Sequence, residues 1–207
     1  AKRRIALDLW PGFEQHLAAG VEPIVASVSN LSAIGDGSVD YAFASNLFEH
    51  VTQDEFAATL ADLRKKLSSD GTLTILQPNY RYAYREYFDD YTHVSIYSHI
   101  SLCDFLAANG FQPVEVKPRF LPLTVKSRLP TWGPLIGLYL NFPIKPLGKQ
   151  MLVRARPVQR AGDLPRLAVA DRAVVDLAQR GELGRGAGHE DLVREVERGA
   201  GDRRLEH

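Results

Sequence analysis

Residues 39–76 confine the chain to very few folds. Residues 39–44 are an apolar run of the kind found in parallel strands buried on both faces. A strongly signalled helix follows over 53–68. Thr52 stands as its N-cap with Glu55 three residues on, the pattern of a capping box, and Val51 and Phe56 are spaced for a hydrophobic staple. Phe56, Leu60, Leu63 and Leu67 recur at helical spacing. Gly71 is expected to supply a left-handed residue near the helix end. Residues 72–76 then read as a strand, stopped at Gln77-Pro78-Asn79. A strand, a capped helix and another strand make a unit that packs helix against parallel sheet.

The flanking segments extend this alternation. Residues 4–9 and 24–26 read as strands, and residues 13–19 as a short helix between them. A second capped helix is predicted from Ser101, with Asp104 at its third position and Gly110 at its end. Residues 114–116 and 151–155 read as closing strands. The expected architecture is an α/β sandwich, its sheet mostly parallel, with an antiparallel hairpin at the end.

Charge is balanced, with 25 basic and 25 acidic residues, so no net field favours nucleic acid or an anionic membrane. Cys103 is the single cysteine, which excludes an internal disulfide or a cysteine-rich metal site. No apolar run reaches the roughly 18–20 residues that a spanning helix needs. No signal peptide opens the sequence, and a cytoplasmic location is expected. Composition shifts near Pro157: every aromatic and every lysine lies before it. The expected organisation is a domain over 1–156, a flexible or weakly helical tail over 157–204, and a tag remnant at 205–207.

The run from Val39 to Val51, Val-Asp-Tyr-Ala-Phe-Ala-Ser-Asn-Leu-Phe-Glu-His-Val, resembles the fourth-strand motif of class I S-adenosylmethionine (SAM) dependent methyltransferases. Asp36-Gly37-Ser38 is similar to the turn before that motif. Ser69-Asp70-Gly71-Thr72-Leu73 resembles the entry to the fifth strand, and residues 101–111 resemble the helix before the final hairpin. The similarity extends over about residues 4–156. It implies a Rossmann-like methyltransferase sandwich, SAM as cofactor, and methyl transfer. The family's first strand, with its acidic residue and Gly-x-Gly loop, has no counterpart before Arg3. The resemblance therefore implies an N-terminally truncated sheet that lacks its central strand.

The same resemblance assigns site residues. Asp8 ends the family's second strand, where a carboxylate accepts from both ribose hydroxyls; outside that context it is a turn aspartate beside Trp10-Pro11. Ser27 stands where the family often has an adenine-reading aspartate, with the backbone of Val28 beside the ring edge. Ser45, Asn46 and Leu47 follow the fourth strand and are expected beside the methionine part of SAM, because ligands sit outside the carboxyl ends of parallel strands.

His50 and His93 are the candidate catalytic bases, since imidazole titrates near neutrality. Asp89 or Asp90 is expected to orient His93. Some ubiquinone-type O-methyltransferases of this superfamily hold a divalent metal with Glu-x-x-Glu-His. Here Asn46 replaces the first carboxylate of Asn46-Leu47-Phe48-Glu49-His50, and no metal is expected. Residues 80–99 hold six of the eight tyrosines. Tyr80, Tyr84, Asp90 and His99 are the candidate contacts to a small-molecule or glycan-like acceptor, against the alternative that the tyrosines simply pack on the core.

Residues 118–148 carry six prolines in an apolar segment, which argues against a long straight helix. Three roles are open to it: a lid, a contact in a homo-oligomer, or a peripheral membrane contact through Trp132 and Tyr139. The alternative to an enzyme is a methyltransferase-like scaffold without SAM that acts through protein or membrane contacts.

Overall fold

The structure is a computed structural model that describes residues 3–122, 148–158 and 173–178, the last as backbone alone. The strands among the described residues are β1 (Arg3–Asp8), β2 (Val21–Val25), β3 (Val39–Ser45), β4 (Leu67–Pro78), β5 (Phe111–Lys117), β6 (Gln150–Pro157) and β7 (Ala173–Ala178). The α-helices are α1 (Gln53–Lys66), α2 (Tyr80–Ala83) and α3 (His99–Ala108). The strands form one sheet in the order β2-β1-β7-β3-β4-β6-β5. Pairings from β2 to β4 are parallel, and β6 runs antiparallel to both β4 and β5. The predicted α/β sandwich with a terminal hairpin is therefore present.

The expected gap at the centre of the sheet is not. β7 lies there, pairing with β1 on one side (Arg4↔Val174, Leu7↔Leu177) and with β3 on the other (Ala42↔Val175, Ala44↔Leu177). Residues 173–178, expected in a flexible or weakly helical tail, are instead the strand that joins the two halves. The physical reason lies in the sheet itself. Without β7 the facing edges of β1 and β3 would each present a row of unpaired backbone groups inside the fold, which is costly. The remaining tail and residues 123–147 of the proline-rich segment, with Trp132 and Tyr139, lie outside the described residues. Among the described residues no helix is long and apolar enough to cross a membrane.

One apolar cluster unites sheet and helices. Ile5, Leu7, Ala42, Ala44, Leu73, Ile75, Met151 and Val153 recur at every second position of their strands, and they join Phe56, Leu60 and Leu63 of α1 and Leu102 and Leu106 of α3. Each fully buried Leu or Phe stabilises by about 1.5–3 kcal/mol. Phe43, Thr74 and Leu76 on alternate positions are buried as well, as expected of strands covered on both faces.

Helix α1 begins with the predicted capping box: the Thr52 hydroxyl accepts from the Glu55 amide, and Glu55 Oε2 accepts from the Thr52 amide at 2.8 Å. Val51 and Phe56 are both buried, as a staple requires. Two local expectations shift. The capping box of α3 is Ser98 with Ser101, three residues before the predicted start, because the two serine hydroxyls cap each other's amides reciprocally. The short helix near residue 13 is a 3-10 turn over Pro11–His16.

Gly71 is not left-handed; among the described residues the left-handed glycines are Gly20, Gly37 and Gly110. It lies inside β4 where residues 68–71 loop out of register with β3. A Cβ there would sit 2.8 Å from the Val39 carbonyl oxygen and 2.9 Å from the Ser68 amide nitrogen. Both are backbone atoms, so the strands themselves would have to part. We expect Gly71→Ala to cost about 1–3 kcal/mol. At roughly 2–4 °C per kcal/mol for a chain of this size, a thermal melt would register it. Gly35, with nothing nearer than 3.5 Å to such a Cβ, is the control expected to melt unchanged on the same substitution.

Candidate functional site

Because β1, β2, β3, β4 and β7 are parallel, their carboxyl ends share one edge of the sheet. Register places Asp8 beside Val25, Ala178 beside Ser45, and Ser45 beside Leu76. The predicted cofactor residues therefore converge on the edge where ligands of such sheets bind. Asp8 is buried at 6% exposure, and its Oδ1 accepts from the Trp10 amide at 2.8 Å. That is the bond of a turn aspartate, and it also fixes the carboxylate at the strand end. Ser27 Oγ lies 2.9 Å from Ser29 Oγ and accepts from the Ser29 amide. Val28 and Leu47 are buried in the apolar cluster, so only their backbone groups can serve a ligand.

Asn46 is the one non-glycine residue with positive φ, at 48°, among the described residues. Such a conformation persists only where its surroundings enforce it. Here the Asn46 amide donates to the Leu76 carbonyl at 2.8 Å, and its Oδ1 accepts from Gln150 Nε2 at 2.9 Å. The chain thus turns sharply off β3 at the sheet edge and delivers Phe48, Glu49 and His50 beyond it. Phe48 stacks on Phe56, ring centroids 3.7 Å apart, and so anchors this turn to α1.

Glu49 has 1% of its surface exposed, and neither carboxylate oxygen meets a hydrogen-bond partner among the described residues. Burial pushes its pKa up to about 8, and the nearby Asp90 charge acts in the same direction. His50 Nε2 lies 4.0 Å from Glu49 Oε1. The predicted bases do meet: the His50 and His93 rings sit edge to face with centroids 4.8 Å apart. Burial, and then the neighbouring His93, lower the His50 pKa.

The loop over residues 87–95 carries His93 and is fastened to the residues after β3. The amides of Val94 and Ser95 both donate to the Glu49 carbonyl, at 2.8 and 3.1 Å, and the Ser95 hydroxyl donates to the Val51 carbonyl at 2.6 Å. Tyr87, fully buried, donates its hydroxyl to the Ser95 carbonyl. Neither Asp89 nor Asp90 orients His93 directly. His93 Nδ1 is 2.6 Å from the Tyr87 carbonyl oxygen, whereas Asp90 Oδ2 stands 3.9 Å from Nε2. Asp90 Oδ1 instead accepts from the Thr92 hydroxyl at 2.5 Å, and that bond holds the Asp90 pKa down.

The acceptor candidates divide. Tyr87 and Tyr97 are core residues, as the packing alternative requires of them, while Tyr84 is 53% exposed. Tyr80 lies edge-on to Tyr87 at 5.2 Å. His99 belongs to a separate group: its Nδ1 accepts from Asn79 Nδ2 at 3.1 Å, and its ring stacks on Tyr82, over which Arg119 sits at 4.1 Å. Sequence reasoning weighs Glu49 with His50 as part of an incomplete metal motif but does not join it to His93, and it misses Thr92 and the Tyr87 carbonyl as members of the histidine cluster. The Glu-His dipeptide after an apolar run was the available signal for Glu49; nothing local signalled the other two.

No protein-family model matches the chain. No curated protein matches it either. Solved structures do. A chain of the complex between the Haloferax volcanii Trm112 methyltransferase activator and a methyltransferase superposes with a TM-score of 0.59 at 15% identity, over 78% of this chain and 74% of that one. A SAM-dependent methyltransferase from Archaeoglobus fulgidus gives 0.54 at 14% identity, over 74% and 85%. Another from Methanosarcina mazei gives 0.55 at 12%, over 77% and 84%. The structural neighbours are SAM-dependent methyltransferases, and the chain has their fold.

Proposed function

We propose that this chain transfers a methyl group from SAM to a small-molecule or glycan-like acceptor. The observation that carries this reading is the shared sheet edge, where Asp8, the Ser27–Val28 backbone and the strained turn at Asn46 converge, with the His50–His93 pair just beyond. Asp8 suits the ribose hydroxyls because an ionised carboxylate offers acceptors only. The amides of Val28 and Leu47 suit the adenine edge and the amino-acid portion. Displacement at a sulfonium methyl group needs mainly alignment of the nucleophile with the carbon–sulfur bond. His50 or His93 would take the acceptor proton. Tyr80, Tyr84, Asp90 and His99 are the contacts we assign to the acceptor side, with aromatic faces for a ring and polar tips for hydroxyls.

The test is calorimetric titration with SAM and with its demethylated product. Binding is expected, and Asp8→Ala should weaken it at least tenfold, because two charge-assisted hydrogen bonds are lost. Absence of binding to the unmutated chain would overturn the reading. It would favour a methyltransferase-like scaffold that works through protein or membrane contacts. One observation supports that second reading: Asp8 and Ser27 already satisfy neighbouring backbone amides.

A further inference from the structure

We propose that Glu49, His50 and His93 form a binding site for a divalent metal ion of the zinc class. One ligand atom from each of the three lies within 4.8 Å of the others. The hydrogen bonds around them settle which nitrogens are available. A carbonyl oxygen can only accept, so His93 Nδ1, 2.6 Å from the Tyr87 carbonyl, carries its proton there. The Thr92 hydroxyl spends its own proton on Asp90, so it accepts from His50 Nδ1 at 2.8 Å; the Thr92 carbonyl lies 3.3 Å from the same nitrogen. Both imidazoles are thereby held with a lone pair on Nε2. Metal-bound histidines show this arrangement: the outer nitrogen donates to a carbonyl or hydroxyl, which sets the tautomer and the ring angle.

The third group is a carboxylate with no partner. Glu49 is buried, and neither of its oxygens is hydrogen-bonded among the described residues. Once Glu49 gives up its proton on metal binding, two imidazole lone pairs and a buried carboxylate make a pocket of acceptors. A divalent cation answers all three at once. Two histidines and one carboxylate, with a coordination position left open, suit zinc and its first-row neighbours rather than magnesium or calcium, which prefer oxygen. Zinc bonds of about 2.0–2.2 Å require the ligand atoms to draw in to roughly 3.3 Å of one another. Glu49 Oε1 and His50 Nε2 already stand 4.0 Å apart. The scaffold is already fixed, because the Glu49 carbonyl accepts from the Val94 and Ser95 amides and so ties the two ligand-bearing segments together.

This donor set differs from a Glu-x-x-Glu-His arrangement. The position of that first carboxylate is Asn46, whose Oδ1 is engaged by Gln150, and the third donor comes from a distant loop. The site does not depend on SAM binding, so its test is carried out without SAM. Zinc chloride is titrated calorimetrically into the full chain after treatment with chelator. One equivalent should bind, and His93→Ala and Glu49→Gln should each weaken that binding at least tenfold, while His99→Ala leaves it unchanged. Cobalt(II) titration of the unmutated chain needs no folded variant. It should give the visible absorption of a four- or five-coordinate ion, displaced by zinc. No zinc-displaceable absorption, or zinc affinity untouched by His93→Ala and Glu49→Gln, would overturn the proposal.

Discussion

A chain ending at Val158 will not unfold cooperatively. That truncation removes β7 and with it the parallel ladders to both β1 and β3. What remains is a four-stranded piece, β3-β4-β6-β5, and a detached pair, β1-β2. Two-stranded units are marginal in water, and the pair would also lose its route into the core cluster, to which it contributes Ile5 and Leu7. Calorimetry should show no sharp transition, and amides of β1 and β2 should exchange rapidly with solvent. A milder version is Val175→Pro, which deletes a ladder donor at the middle of a central strand and should lower the melting temperature. A truncated chain that melts at the temperature of the intact one would disprove the central role of β7.

The second large effect concerns Glu49 and is read in chelating buffer. Its carboxyl is pushed up to about 8 by burial, against 4.5 for an ordinary glutamate. Between those two values the folded chain holds a proton that the unfolded chain has released. Stability from this group is therefore complete below about pH 4.5 and is lost as pH rises towards 8. At about 1.4 kcal/mol per pH unit, the loss across the window amounts to several kcal/mol. Glu49→Gln, uncharged at every pH, should lack this decline and melt higher than the parent at pH 8. His50 and His99, both lowered in pKa, pull the opposite way, because they resist protonation in the folded state. The groups facing Glu49 are His50, Asp90, Tyr87 and, through the His50 ring, His93. The difference between the two melting profiles isolates Glu49, and parallel profiles would refute the assignment.

What the sequence disclosed follows the range of the forces involved. β3 and α1 were legible because their signals are local: an unbroken apolar run, and a cap with its partner three residues away. The start of α3 was misplaced because Ser98 and Ser101 are equally good caps on paper, and their reciprocal bond decides between them. β7 was hidden. Ala-Val-Val-Asp-Leu-Ala sits among Arg, Gly, Ala and Glu, and only the unpaired edges of β1 and β3, far away in sequence, make it a strand. The site divides similarly. The placement of Asp8 at a strand end rests on the family resemblance, and that of Ser45–Leu47 on the rule that ligands sit outside the carboxyl ends of parallel strands. The burial of Glu49 depends on a loop some forty residues later that closes over it, a tertiary fact that no local pattern encodes.

The position of β7 also sets a timetable. Arg3 pairs with Ala173, so the first described strand cannot acquire its central neighbour until nearly all of the described chain has been made. Until residues 173–178 have been added, the edge of β1 that β7 covers has no partner among the described strands. Pairing across so long a separation slows folding, and it gives chaperones a reason to hold the nascent chain.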